Sequence, residues 1–142
     1  MASQRLSRYL GVDYGERRIG LALSDPLGII AKPFTIIDSQ KESHPQNKIA
    51  AIASENEVIG IVVGIPYTLK GTESPQTIKV QNFIESLKQS TNTKIIGVDE
   101  RLSSVSAEKA LIEQGVKTGH NKGRIDETAA AIILQEYLDS KS

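Results

Sequence analysis

Asp13 stands between Val12 and Tyr14 in YLGVDYGERRIGLALSD, residues 9–25, where alternating apolar and small residues predict a buried strand and its hairpin return. A carboxylate there costs free energy unless something pairs with it. Two further acids occupy comparable places: Glu100 ends the predicted strand TKIIGVDE, and Asp126 opens the helix in GRIDETAAAIIL. Strand and helix ends can aim all three at one crevice. Clustered carboxylates repel and persist mainly around a cation, and an all-oxygen set of two to four suits Mg2+ or Mn2+. Two such ions about 4 Å apart serve the attacking and leaving oxygens of a phosphodiester. The chemistry these residues point to is metal-dependent phosphodiester hydrolysis, in which Asp13, Glu100 and Asp126 would hold the metal.

Each acid also has a plainer explanation. Asp13 can bind backbone amides of the YGERR turn or pair with Arg17 or Arg18. Asp126, with Glu127, can complement a helix dipole. Glu100 can belong to a solvated strand end, Asp99-Glu100-Arg101, in which a regular strand sends Asp99 to the opposite face. Asp25 before Pro26 reads as a turn residue. Bases accompany the acids: Arg17 and Arg18 after Asp13, Arg101 after Glu100, and Lys117, His120, Lys122 and Arg124 before Asp126. In a nuclease the acids hold metal while bases hold phosphates, which makes Arg17, Arg18, Arg101, Lys122 and Arg124 the candidate nucleic-acid contacts. Lys117 fits a solvated loop equally well, and a loop histidine such as His120 is more often idle than a proton carrier.

The elements that must position these residues follow from periodicity. Tyr9–Tyr14 and the run Ile19–Asp25 form a hairpin bent at Gly15, and Ala31–Asp38 is a third strand that Pro33 places at an edge. NKIAAIASENE brings Ile49, Ile52 and Ala53 onto one helix face. Val58–Pro66 is a β-branched run suited to a strand covered on both faces. Ser74 caps a helix with Pro75 at its first position and Ile78, Phe83, Ile84 and Leu87 as its apolar face. The strand 93–100, a helix SVSAEKALIEQG, a basic loop VKTGHNKG and a closing helix from Arg124 complete the chain. Ala129, Ala130 and Ala131 are small enough to bring that last helix close to a sheet. The fold class is α/β: one mixed five-stranded sheet, its first three strands antiparallel and the rest parallel, flanked by helices.

Bulk properties narrow the class. The 142 residues fit one domain, 1–142, with 1–7 and 140–142 as flexible ends. Seventeen basic and 17 acidic residues cancel, so a nucleic-acid partner must be held by local clusters. With no cysteine and two histidines, thiolate and histidine-rich metal sites are excluded. MASQRLSR lacks an apolar leader core, and no run of about 18 apolar residues occurs. The expectation is a cytoplasmic protein with no membrane partner.

Four motifs in order, LGVDYGERRIGLALSD, VVGIP followed by GTESPQT, VDERLSSVSAE and NKGRIDETAAAIIL, resemble the YqgF or RuvX family of the ribonuclease H-like superfamily, over about Tyr9 to Leu138. The resemblance implies an RNase H-like fold and a metal-dependent nuclease, either processing the 5′ end of pre-16S ribosomal RNA, with the ribosome as a further partner, or resolving branched DNA at Holliday junctions. By motif it carries the metal and catalytic roles onto Asp13, Glu100 and Asp126. One departure lies after Gly64, where the family usually reads LPLNMDGTEG and this chain has IPYTLKGTES, with Thr68 and Lys70 replacing an asparagine and an acid. Two readings of other classes compete: a nucleotide-binding actin-like lobe, because the first hairpin resembles a phosphate loop, and a ribosome-assembly factor that binds RNA without cutting it. Monomer and homodimer both remain open.

Overall fold

The computed structural model describes residues 7–68, 70–100 and 122–141, with 122–128 described for the backbone. Five strands form one sheet: β1 (Tyr9–Tyr14), β2 (Arg18–Ser24), β3 (Ala31–Asp38), β4 (Gly60–Ile65) and β5 (Lys94–Asp99). The described helices are α1 (Pro45–Glu55), α2 (Pro75–Ser90) and α3 (Lys122–Lys141). Strand order is β3-β2-β1-β4-β5, antiparallel within β1–β3 and parallel from β1 through β4 to β5. The mixed sheet is therefore as its patterning implies, and β3, carrying Pro33, is an edge strand. The expected helix over 104–115 and the basic loop up to residue 121 lie outside the described residues.

The period-2 alternation of the strands sorts their side chains into two layers. Leu10, Val12, Ile19, Leu21, Ile37, Ile61 and Val63 face α1 and α2, which contribute Ile49, Ile52, Val80, Phe83, Ile84 and Leu87. Tyr9, Ala22 and Val62 face α3, which brings Ala129, Ala130, Ala131, Ile133, Leu134 and Leu138. The two layers share no large side chain, and β4, covered on both faces, carries the continuous apolar run expected of such a strand.

α3 runs antiparallel to β1 and packs very close to it. A Cβ on Gly11 would stand 2.8 Å from the Ala130 carbonyl oxygen and 2.8 Å from Leu134 Cβ, so the bare backbone of β1 is what admits the helix. Tyr9 meets Tyr137 edge to face at 5.5 Å between ring centroids. Gln135 stitches α3 to the other edge, accepting from the Ala31 N–H at 2.8 Å and donating to the Ile29 carbonyl at 2.9 Å.

Several boundaries and one face differ from the sequence pattern: β4 spans Gly60–Ile65 rather than 58–66, and β5 spans Lys94–Asp99 rather than 93–100. α1 starts at Pro45, since proline suits a first helical turn that needs no donor. α3 begins at Lys122 because Gly123 is tolerated in a first turn, where few intrahelical bonds depend on it. β2 ends at Ser24, and Asp25 leaves the strand to bind the loop that follows. Ile78 is 48% exposed rather than buried. The inward place on α2 belongs to Thr77, whose hydroxyl donates to the Pro66 carbonyl and completes a reciprocal capping box with Ser74.

Candidate functional site

Asp13 and Glu100 are two of the four buried polar or charged residues among those described, each about 5% exposed. Strand parity puts them on one face. Tyr9, Gly11 and Asp13 alternate toward α3, and on β5 Ile96 and Val98 pack into that same layer, so the next position in phase is Glu100. Asp99, one residue earlier, belongs to the opposite parity, as expected from a regular strand. β1, β4 and β5 are parallel neighbours, so both acids stand at the carboxyl end of the parallel part of the sheet, where open α/β sheets hold their ligands.

The strand between them is β4, and its residue at this level is Gly64. A Cβ there would stand 2.9 Å from Glu100 Cγ, 3.1 Å from Glu100 Cδ and 2.8 Å from Ile133 Cδ1. The Glu100 side chain therefore lies flat over β4, in the direction of β1. In the sequence Gly64 is one glycine within the β-branched run Val58–Pro66. An isolated glycine within β-branched neighbours is itself a signal of close approach, but its partner becomes visible only when β5 is known to lie beside β4.

The third acid is placed by backbone alone. Tyr9 lies against Tyr137, and Gly11 against Ala130 and Leu134. Two strand residues advance about 6.6 Å, equivalent to four or five helix residues. The next step along β1, at Asp13, therefore reaches the helical turn holding position 126, which is four residues before Ala130 and seven before Ile133. Among the described residues no three His, Cys, Asp or Glu side chains form a group able to hold a metal ion, and the Asp126 side chain lies outside that set.

Bases and loops surround this end of the sheet. Arg17 is exposed on the β1–β2 loop, while Arg18 is half-buried at the start of β2, in register with Asp38. The loop is tied to α2 by an exposed Glu16–Lys79 ion pair and to β3 by the Ser39 N–H, which donates to the Arg17 carbonyl at 2.8 Å. Lys122 and Arg124 lie on the first turn of α3 by backbone; Arg101, Lys117 and His120 lie outside the described residues. Thr68, where the family usually has asparagine, organises its own turn: its hydroxyl lies 2.6 Å from that of Thr72 and accepts from the Thr72 N–H at 3.1 Å. Gly71 supplies the positive φ of 83° this turn requires. A cleft of about 250 Å³ opens between the end of β5 and α3, bordered by Glu100, Ile133, Glu136 and Tyr137, so Glu100 is adjacent to solvent-accessible space at the sheet edge.

Asp25 belongs elsewhere. Its carboxylate accepts from the N–H groups of Ile29 at 2.7 Å, Ile30 at 2.8 Å and Leu27 at 3.2 Å, chiefly the Ile30 bond holding its pKa below the ordinary 3.8. It braces the β2–β3 loop, the turn role its sequence context implies.

Comparison with known proteins places this arrangement. The family described as "RuvX: Holliday junction resolvase" matches residues 7–140. A Roseiflexus sp. (strain RS-1) protein named "Putative pre-16S rRNA nuclease" is 41% identical over 139 residues, covering 98% of this chain and 99% of the relative. A protein of the same name from Desulforamulus reducens is 46% identical over 133 residues, covering 94% and 97%. Among solved structures, T. thermophilus RuvC in complex with Holliday junction substrate superposes with a TM-score of 0.60 at 12% identity, covering 95% of each chain, and the fowlpox virus Holliday junction resolvase with 0.52 at 16%, covering 95% and 99%. At such identities these structures show a shared RNase H-like fold. Among the described residues no helix is long and apolar enough to cross a membrane. With the family match spanning almost its full length and relatives above 40% identity, the chain belongs to the RuvX, or YqgF, family.

Proposed function

We propose that this chain is a divalent-metal-dependent nuclease that acts on structured nucleic acid and processes the 5′ end of pre-16S ribosomal RNA. The observation that carries the reading is the pair Asp13 and Glu100, two buried carboxylates on one face of the sheet, both beside the strand that holds Gly64. The donor set fits a hard cation: every group is a carboxylate oxygen, and the apolar layer around it keeps the local dielectric low. Asp13, Glu100 and Asp126 would hold Mg2+ or Mn2+, which when bound supplies Lewis-acid stabilisation of charge developing on the phosphate.

The chain's own residues do the positioning. Asp13 sits on the central strand, in register with Gly20 of β2 and directly after Val12, which is in register with Val63 of β4, so the sheet fixes where its carboxylate starts. Arg17, Arg18, Arg101, Lys122 and Arg124 hold backbone phosphates, fixing the register of the substrate without reading its bases. The choice of ribosomal RNA rests on the names carried by relatives that align end to end with this chain. The family's own description favours branched DNA instead, and the scissile group is a phosphodiester in both. The test is Mg2+- and Mn2+-dependent cleavage of a labelled pre-16S 5′ region and a four-way DNA junction, side by side. Metal-dependent cutting of the RNA alone is expected. Paired nicks in the junction would assign the resolvase activity, and RNA binding that is indifferent to metal, with no cutting, would make the chain an assembly factor.

A further inference from the structure

The geometry points to Gly64 as the positioning residue that holds Glu100 toward Asp13. This rests on the metal-site reading above and extends it to a residue that carries no ligand atom. β1 and β5 are separated by β4, so their backbones lie two strand spacings apart, about 9.6 Å. A glutamate rooted at the end of β5 closes that gap only by lying across β4. Gly64 leaves that path open, since Glu100 Cγ and Cδ occupy the space within 2.9 and 3.1 Å of where any larger residue would put its Cβ.

The neighbouring contacts show that this glycine differs from Gly11. At Gly11 a Cβ would meet a backbone carbonyl and the root of Leu134, so the helix itself would have to move. At Gly64 the atoms in the way are the outer parts of two flexible side chains, Glu100 and the Ile133 Cδ1 methyl at 2.8 Å. An alanine there can be accommodated by turning Glu100 away, leaving the fold in place and the carboxylate displaced. Gly97, on β5, would meet only Ile65 Cδ1 at 2.5 Å and Cγ1 at 3.5 Å, neither of them part of the site, and serves as a control.

The experiment is a Mn2+ titration of the full chain followed by electron paramagnetic resonance, in a double-mutant cycle. Glu100→Ala and Gly64→Ala are each expected to weaken Mn2+ binding, the latter by about 10- to 100-fold, the size typical of residues that orient a ligand. In the Glu100→Ala background Gly64→Ala is expected to add less than about twofold, because the group it displaces is gone. Gly97→Ala should leave the affinity as it is. If Gly64→Ala unfolds the chain, Ile133→Val in the same chain removes the methyl in the way and leaves the Glu100 conflict, so weakened binding must persist in that folded double variant. Unchanged affinity in folded Gly64→Ala overturns the role of Gly64 alone, as does an equal loss with and without Glu100. A parent chain that binds no Mn2+, or whose binding ignores Glu100→Ala, overturns the metal reading and the positioning role together.

Discussion

The two faces of the sheet use the same strands for different ends. Toward α1 and α2, β1 presents Leu10 and Val12, β2 presents Ile19 and Leu21, and β4 presents Ile61 and Val63, all fully buried. Toward α3 the same strands present Tyr9, Gly11 and Asp13, then Ala22, then Val62 and Gly64. One face maximises apolar volume; the other gives volume up to bring a helix backbone and two carboxylates close to bare strand. Burying a Leu or Ile side chain is worth about 1.5–3 kcal/mol, whereas a buried carboxylate costs free energy unless it is compensated. The face toward α1 and α2 thus carries the larger apolar cluster, while the α3 face combines a smaller one with the two buried carboxylates.

The contrast can be broken first on the aliphatic side. Leu87 is fully buried on α2, and Leu87→Ala should cost about 2–5 kcal/mol of stability, read from urea unfolding, while cleavage per folded molecule stays within about twofold. A comparable loss of catalysis would mean that the faces are not separable. Gly11→Ala attacks the division from the other side. Its Cβ meets the Ala130 carbonyl and Leu134, so α3 must shift, at about 1–3 kcal/mol, and position 126 moves with it. This variant should lose both stability and cleavage, unlike Leu87→Ala, and circular dichroism melts paired with rate measurements would separate the two behaviours.

The smallest effect lies at the amino-terminal end of β1, away from both cores. The Ile30 N–H, with those of Ile29 and Leu27, binds ionised Asp25 and lowers its pKa below 3.8, while the unfolded chain has no such contacts. Its contribution to stability is therefore present above that ordinary value and is lost as pH falls through the lower folded value. Thermal melts from pH 5 down to pH 2 should show a decline that is shallower in Asp25→Asn. The same slope in both proteins would remove Asp25 from the account.

What could be read before the fold was known divides along the same line. The β3 limits, the helix cap at Ser74 and Pro75, the apolar residues of α1 and the small residues of α3 follow from local chemistry, and local chemistry is written in consecutive residues. Asp13 stood out because an acid in an apolar alternation demands a partner. Ile78 was misassigned because α2 seats Thr77 inward for the sake of two hydrogen bonds, a tertiary demand that hydrophobic periodicity does not encode. Gly64 escaped for a similar reason: its meaning depends on which strand lies beside β4 and on a glutamate 36 residues later in the chain. The pairing of distant strands is a long-range property, and the site residues whose roles depend on it carry only a weak local mark.

The most direct measurement of the central claim is the Mg2+-dependent cleavage rate of the pre-16S 5′ region by Asp13→Asn, with a thermal melt on the same sample. Loss of about 10³-fold or more in rate, roughly 4 kcal/mol of transition-state stabilisation, with a melting temperature within a few degrees of the parent, is the predicted result. Cleavage at the parent rate by the folded variant would contradict it, leaving Asp13 as a structural residue and moving the search for the site elsewhere on the sheet.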